Sequence, residues 1–141
     1  MNKYIDQYEI TIDGTQLQVT DSQGNYTTDL AERLLTFAVD TLQFLSKLPP
    51  KKEYEVIRYQ LSKSTTSIGA NYEESQDSTF PEFKQRIRIC TREARESLYW
   101  YKIIHRLLSN NPTLQEANSA LVKEASEIRK IFGAILKKVE R

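Results

Sequence analysis

The stretch TFPEFKQRIRICTREARESLYWYKIIHRLL, residues 79–108, decides the fold. Thr79, followed three residues later by Glu82, forms a capping box, and Pro81 suits the first turn of a helix. Beyond that start, apolar and small residues recur in alternating steps of three and four, the spacing of a helix with one buried face. They are Phe83, Ile87, Cys90, Ala94, Ser97, Tyr101, Ile104 and Leu108. The pattern predicts one long helix.

Three other segments show the same spacing. The first spans about residues 30–48, between a capping-box pattern at Asp29 and the helix-breaking pair Pro49-Pro50. The second spans about residues 52–76, and the last follows a break at residues 109–112. Four helices joined by short connections predict an all-α fold, an antiparallel up-and-down four-helix bundle formed by residues 30–141.

Residues 1–29 form a separate, acidic N-terminal arm. The arm carries one basic and five acidic side chains, a net charge of −4, whereas residues 30–141 carry 19 basic and 14 acidic side chains, a net charge of +5. Apolar residues alternate with polar ones on both sides of the turn dipeptide Asp13-Gly14. The arm is therefore predicted to form a short β-hairpin over about residues 7–20.

The composition narrows the class of protein. The single cysteine, Cys90, excludes an internal disulfide and a cysteine-based zinc site, since both need several thiols. No apolar run approaches the roughly 18 residues that span a bilayer, and the N-terminus lacks the pattern of a signal peptide. We therefore expect a cytoplasmic protein with no membrane partner and no cofactor.

Few residues are candidates for catalysis. His105 is the only histidine, and a di-metal site in a bundle core needs two Glu-x-x-His motifs, so a partly buried histidine is favoured over a metal ligand. Cys90 lies on the apolar face and is predicted to pack as a small hydrophobe. Glu73 and Glu74 are adjacent on a helix and point about 100° apart, so they do not form a carboxylate pair. The sequence predicts no metal site and no catalytic residues, and hence no enzyme.

Three polar residues fall on the predicted buried faces. Ser64 and Asn71 lie on that of the second helix, and Ser97 lies on that of the third. An unpaired buried polar group costs about 1–3 kcal/mol, so each must have a partner, and Ser97 is one candidate. We interpret the three residues as setting the register between helices rather than binding a ligand.

The first helix has a wide apolar arc. Its apolar residues cover roughly 220°, whereas a single buried face needs little more than about 100°. The helix is therefore predicted to bury two faces, one in its own bundle and the other against a second subunit. We assign Phe37, Phe44 and Leu48 to the interface between subunits.

A basic surface is predicted on the third helix. Six cations and one tyrosine share an arc of about 80° opposite the apolar face, at about 100° per residue. These residues, called the basic stripe below, are Lys84, Arg88, Arg92, Arg95, Tyr99, Lys102 and Arg106. The stripe has three interpretations. It is a solvated face in which Glu96 pairs with Arg92, or a phosphate-binding surface on which the aromatic ring stacks on a base. The third interpretation is a surface that binds an acidic protein. The three interpretations stay open.

Three segments carry a resemblance to a known family. They are SIGANYEES at 67–75, ICTREARESLYW at 89–100 and LLTFAV at 34–39. Over roughly residues 30–141 the chain resembles the four-helix-bundle proteins associated with 23S rRNA intervening sequences. The resemblance implies a left-handed up-and-down bundle that assembles into a homopentamer and has no known catalytic activity. Relatives include accessory proteins of diversity-generating retroelements, which are basic, bind nucleic acid and associate with a reverse transcriptase.

The chain departs from that family in its acidic arm and in its lower positive charge. Together with the basic stripe, the resemblance suggests a non-enzymatic homo-oligomer, a pentamer by analogy, that binds structured RNA or DNA. The alternative is a protein-binding scaffold with no nucleic-acid role, for example one that binds a reverse transcriptase.

Overall fold

A computed structural model describes residues 9–12, 15–18 and 26–140 of the chain, with side chains for residues 30–140. Residues 26–139 contain four helices, α1 (Tyr26–Leu45), α2 (Lys52–Ser75), α3 (Phe80–Leu107) and α4 (Pro112–Val139). Each helix packs against the next, and α4 also packs against α1. Helices α2 and α3 are antiparallel, since Ser64 meets Ser97 while the later Asn71 meets the earlier Arg86. The predicted all-helical, four-helix fold of this part of the chain is confirmed.

Two segments of the N-terminal arm pair as antiparallel strands. They are β1 (Glu9–Ile12) and β2 (Thr15–Gln18), with Ile10 opposite Leu17. The predicted turn at residues 13–14 lies outside the described residues, as do the side chains of the arm. The complete β-hairpin therefore stays a prediction.

The starts of α3 and α4 follow from their capping residues. Thr79 Oγ1 accepts a hydrogen bond from the Glu82 backbone N–H at 3.4 Å, and the Glu82 carboxylate accepts one from the Thr79 backbone N–H at 2.8 Å. Hydrogen bonds to the Glu82 carboxylate from the Thr79 backbone and then from the Thr79 side chain lower the pKa of Glu82. At α4, Asn111 Oδ1 accepts from the Leu114 backbone N–H at 3.1 Å, and Pro112 follows as the first helical residue. The predicted capping box of α3 is confirmed.

The bounds of α1 differ from the prediction. The helix begins at Tyr26, so Asp29 lies inside it rather than at its cap, and it ends at Leu45 rather than at residue 48. Arg58 of α2 stabilises this end, because its guanidinium donates to three backbone oxygens in and after the last turn. The acceptors are Leu45 O at 3.2 Å, Leu48 O at 2.6 Å and Pro49 O at 2.8 Å.

The core is formed by the apolar faces of all four helices. Its largest fully buried side chains include Tyr72, Tyr101, Phe37, Phe83 and Phe132. The rings of Phe37 and Tyr101 lie 6.3 Å apart, and the Tyr101 hydroxyl hydrogen-bonds to Thr41. Thr41 in turn donates to the backbone oxygen of Phe37 at 2.8 Å. Because the single proton of the Thr41 hydroxyl is donated to Phe37, the Tyr101 hydroxyl donates to Thr41 Oγ1. Burial raises the pKa of Tyr101.

The buried residues Ser64 and Ser97 meet at the α2–α3 interface. Their Oγ atoms lie 2.8 Å apart, and the Ser97 hydroxyl donates to the backbone oxygen of Glu93 at 2.9 Å. The Ser64 hydroxyl also lies 3.3 Å from the backbone oxygen of Leu61, so each serine has an acceptor on its own helix and either hydroxyl can donate to the other. A shift of one helix by one turn would separate the pair inside the core, so the geometry suits a role in register.

Asn71 differs from the prediction that placed it on the buried face of α2. It is half-buried, and Tyr72 takes the buried position because burial of an aromatic ring contributes more than burial of an amide. Asn71 Nδ2 donates to the Ser67 backbone oxygen at 2.8 Å, and its Oδ1 accepts from Arg86 Nη1 at 2.8 Å. Arg86 also pairs with Glu74 at 2.7 Å. Asn71 thus links α2 to α3 at the edge of the core.

Gly69 lies where α1 and α2 approach each other closely. A Cβ atom at this position would lie 3.6 Å from Leu34 Cβ, which is an ordinary contact distance. The segment 67–75 therefore contacts α1 through Gly69 and α3 through Asn71 and Glu74. Helix packing explains this segment, which is one of the three that carry the family resemblance.

The hydroxyl pair at the α2–α3 interface leads to a stability prediction. Ser64→Ala and Ser97→Ala should each lower the free energy of unfolding by about 1 kcal/mol, because each removes the hydrogen-bond partner of a buried hydroxyl. The double substitution should cost less than the sum of the two losses. Urea unfolding monitored by circular dichroism measures all three variants, with Ser109→Ala on the surface as a control. Additive losses would show that the two hydroxyls are not coupled.

Candidate nucleic-acid interface

All seven residues of the basic stripe lie on α3. Lys84 and Arg88 are half-buried, whereas the other five are exposed, namely Arg92, Arg95, Tyr99, Lys102 and Arg106. The Tyr99 side chain is 60% exposed, and its ring meets that of Trp100 edge-on at a centroid distance of 5.4 Å. The stripe therefore has an exposed aromatic ring between its exposed cations.

The N-terminal part of the stripe is already engaged within the chain. Arg88 Nε donates to the Glu140 carboxylate just after α4 at 2.6 Å, and the Lys84 ammonium lies 5.4 Å from the centre of the Phe80 ring. A carboxylate thus enters the surface that the sequence predicts to be of one sign. The part of the stripe that can bind a ligand begins one turn further on, at Arg92.

In the C-terminal part of the stripe, from Arg92 onward, the cations form no ion pair with a described carboxylate. Glu96, the expected partner of Arg92, accepts a hydrogen bond from Trp100 Nε1 at 3.4 Å instead. Desolvation, followed by the nearby Glu96, raises the pKa of Glu93, whereas Lys63 of α2 and Arg92 of the stripe act on the same carboxyl in the opposite direction. Among the described residues, no carboxylate lies within ion-pair distance of the remaining cations Arg92, Arg95, Lys102 and Arg106.

Helix α4 adds a row of cations that the sequence analysis missed. Lys123, Lys130 and Lys137 are spaced by seven residues, which places them on one face of the helix, and all three are exposed. This face lies beside the stripe, because Glu140, one turn after Lys137, reaches Arg88. The seven-residue spacing was a signal in the sequence, but its position next to the stripe depends on how α3 and α4 pack.

The helices divide the charge unevenly. Helices α1 and α2 carry four basic and seven acidic side chains, a net charge of −3, whereas α3 and α4 carry 12 basic and six acidic side chains, a net charge of +6. The field of the bundle therefore attracts an anionic ligand toward the α3–α4 side.

The residues predicted to contact a second subunit lie elsewhere. Phe37, Phe44 and Leu48 are at most 4% exposed, so they belong to the core of the chain itself. Helices α2 and α4 cover that side of the wide apolar arc, and the opposite side stays exposed. The exposed apolar residues of α1 are Leu35, Val39 and Leu42, at 57%, 43% and 44%.

These exposed residues line an open apolar groove between α1 and α2. The groove has a volume of about 360 Å³. Gly69 and Ala70 of α2 form part of its wall, and Glu73 lies at its edge. Small residues on α2 leave the groove open, which makes it a second candidate for binding a macromolecule.

His105 and the adjacent glutamates Glu73 and Glu74 lie in different parts of the bundle. His105 is exposed rather than partly buried, and it lines a groove between α3 and α4. Glu74 pairs with Arg86, whereas Glu73 lies at the apolar groove beside α1, so the two carboxylates do not share a site.

Within the described residues, no cluster of three or more His, Cys, Asp or Glu side chains could hold a metal ion. None of the helices in this part of the chain is long and apolar enough to cross a membrane.

Comparison with known proteins places the bundle in a family. The model of the family described as 23S rRNA-intervening sequence protein matches residues 27–134, which is most of the chain. The chain belongs to the 23S rRNA-intervening sequence protein family. A protein with unknown function from the S23 ribosomal protein family of Bacteroides thetaiotaomicron VPI-5482 has a similar crystal structure. Its TM-score is 0.69 at 26% sequence identity, over 79% of this chain and 97% of the other. No curated protein sequence matches the chain.

The range shared with the 23S rRNA-intervening sequence protein family begins in α1 and ends in α4. It therefore contains the exposed part of the basic stripe and the apolar groove. Membership of the 23S rRNA-intervening sequence protein family accounts for the fold.

The only cysteine of the chain provides a test of the core beneath the stripe. Cys90 is fully buried and its Sγ lies 3.4 Å from the Ile68 backbone oxygen, and burial raises the pKa of the thiol. We expect Cys90 in the folded protein to react with a maleimide far more slowly than in urea, and raising the pH to about 9 should not remove this protection. Mass spectrometry counts the single adduct. Rapid labelling under native conditions would show that the α2–α3 interface opens.

Proposed function

We propose that this protein is a non-enzymatic homo-oligomer that binds structured RNA or DNA through its α3–α4 face. The observation that carries the proposal is the exposed part of the basic stripe, where four cations have no described carboxylate within ion-pair distance. Such cations can neutralise phosphates without first breaking an ion pair within the protein. Membership of a family named for sequences that intervene in 23S rRNA supports a nucleic-acid ligand.

The spacing of the cations suits a phosphate backbone. Arg92 and Arg106 lie 14 residues apart, which is about 21 Å along a helix. Phosphates of one duplex strand follow each other at about 3.4 Å along the axis, so a strand offers about seven phosphates to four cations over this length. Tyr99 lies between Arg95 and Lys102 and is exposed enough to stack on an unpaired base.

An acidic protein partner would use some of the same charges. The lysine row of α4 favours a nucleic acid, because it widens the basic surface from one helix to two. An extended polyanion can contact both rows at once, whereas an acidic helix or loop covers a narrower strip. A protein-binding scaffold is therefore the alternative outcome of the test below.

The stripe can be tested by reversing two of its charges. Arg92→Glu with Arg95→Glu should abolish RNA binding, because two phosphate contacts become repulsive while both side chains point to solvent. With four contacts per subunit, the logarithm of the wild-type affinity should fall with the logarithm of salt at a slope of about −3 to −4. Fluorescence anisotropy with a labelled stem-loop RNA measures both effects.

Two matched variants sharpen this experiment. Lys47→Glu with Lys52→Glu makes the same change in net charge at exposed positions outside α3 and α4 and should lower the affinity only slightly. Glu140→Gln should raise the affinity, because it releases Arg88 from its ion pair. Equal losses for both double variants would show attraction by net charge alone, and the absence of any salt-dependent binding would favour the scaffold.

We assign the subunit interface to the apolar groove of α1 and α2, with a second copy of this chain as its occupant. A second copy offers exposed apolar side chains outside the groove, with Val56 at 57%, Tyr59 at 65% and Leu107 at 46%. Their burial in the groove would remove apolar surface from water, which supports this choice. Contact between two different surfaces is heterologous and forms a ring when the rotation closes. The pentamer implied by the family resemblance is such a ring.

Mixing two interface variants tests this arrangement. Leu35→Glu with Leu42→Glu disables the groove, and Tyr59→Glu with Leu107→Glu disables the apolar side chains proposed to enter it. Each variant should be a folded monomer by light scattering and circular dichroism. An equimolar mixture should form dimers, because one intact groove meets one intact partner surface. Phe44→Glu serves as a contrast and should unfold the bundle, since Phe44 is 4% exposed.

Three results would contradict the proposed interface. A wild-type chain that is monomeric at micromolar concentration would exclude the assembly. Retention of the wild-type oligomer by the groove variant would place the interface on another face. Dissociation of the groove variant, together with retention of the oligomer by the Tyr59→Glu, Leu107→Glu variant, would indicate that the groove contacts a copy of itself.

A further inference from the structure

A polar groove lies between the C-terminal half of α3 and the N-terminal half of α4. It has a volume of about 360 Å³ and is lined by Lys102, His105, Arg106, Ser119 and Val122. This volume lies at the lower end of the range for small-ligand sites in proteins. The groove therefore has room for a ligand about the size of one nucleotide.

The residues of α3 converge on this groove because of their spacing. Lys102, His105 and Arg106 follow each other at intervals of three and one, so the first and last lie on the same face and His105 lies on its α4 side. All three side chains are exposed. Two permanent positive charges and one imidazole thus border a single depression.

Helix α4 supplies the opposite wall and holds it in place. Gln115 Nε2 donates to the His105 backbone oxygen at 2.8 Å, and Asn118 Nδ2 donates to the Tyr101 backbone oxygen at 3.0 Å. Gln115 and Ser119 lie one turn apart on the same face of α4. The hydrogen bond from Gln115 to His105 therefore also positions Ser119 beside His105. The groove is consequently a fixed feature of the α3–α4 packing.

The donors of the groove match the oxygens of a phosphate. Lysine, arginine, protonated histidine and serine side chains all donate hydrogen bonds, and charge-assisted hydrogen bonds to phosphate are the stronger kind. Val122 offers an apolar contact for a sugar or a base.

We infer that this groove binds one phosphate and its attached sugar, and that the affinity is controlled by the protonation of His105. The inference rests on the proposed function, because the ligand is taken to be a nucleotide unit of bound RNA. A histidine side chain gains a positive charge as the pH falls from about 8 to about 5. The protonated ring adds a third cation beside the phosphate, so binding tightens as the pH falls.

The other charged groups near His105 belong to both helices. Lys102 and Arg106 lie on α3. On α4, Glu116 and Lys123 flank Ser119 by about one turn on either side. The described lining of the groove comes from α3 and α4 alone. Because His105 is the only histidine of the chain, its NMR signals need no assignment by mutagenesis.

The test follows the imidazole signal and the affinity together. A short single-stranded RNA is titrated into the full chain at pH 7.5 and at pH 5.5, with carbon–proton NMR of the His105 ring and fluorescence anisotropy as readouts. The ring signal should shift to saturation, and the affinity should rise about tenfold at the lower pH, as one added charge-assisted contact predicts. His105→Gln, which keeps hydrogen-bonding groups but cannot gain the charge, should bind equally at both pH values.

Adenosine 5′-monophosphate and inorganic phosphate serve as separate probes of the groove. A shift of the ring signal with the nucleotide and with RNA, but only a weak one with phosphate, supports a site for phosphate plus sugar. RNA binding that neither moves the ring signal nor depends on His105 would overturn the groove assignment while leaving the proposed function intact. Nucleotide binding without any RNA binding would overturn the proposed function and keep the groove as a phosphate site.

Discussion

The packing of α2 against α3 is the constraint on which the other surfaces depend. Ser64 and Ser97 form a hydrogen-bonded pair with no exposure to solvent, and Arg86 adds a second link to Asn71 and Glu74. A rotation of α3 about its axis would break these contacts and bury part of the stripe. Because the inner face of α3 is fixed in this way, its cations must lie outside. The binding surface is thus a consequence of core packing.

Much of this arrangement could be predicted from sequence. Steps of three and four residues locate the four helices, and the capping box fixes the start of α3, because both signals depend on neighbours within a few residues. The position of each half of the wide α1 arc could not be derived in the same way. Whether Phe44 or Leu35 faces the core depends on where α2 and α4 lie, and that is a property of the whole bundle.

The basic stripe, too, could be predicted from sequence only in part. Its residues share one face of α3, as their spacing predicts, but the engagement of Arg88 by Glu140 joins positions 52 residues apart. Asn71 and Tyr72 both fit the spacing that continues from Ile68, and only the relative gain from burying an aromatic ring decides between them. Helical periodicity therefore predicts neither the contacts between residues distant in sequence nor which of two adjacent residues is buried.

Assembly and ligand binding use different sides of the bundle. In the order α1, α2, α3, α4 around the core, the apolar groove of α1 and α2 lies opposite the basic face of α3 and α4. A subunit contact at the groove therefore leaves the basic face of the same subunit open. This separation matters because four exposed cations give a weak contact at physiological salt, where the screening length is about 8 Å. A ring repeats the face on every subunit, and a nucleic acid long enough to reach two faces binds the second at a high effective concentration. On this argument a monomeric variant should lose most of its affinity for a long RNA while keeping its affinity for a short one.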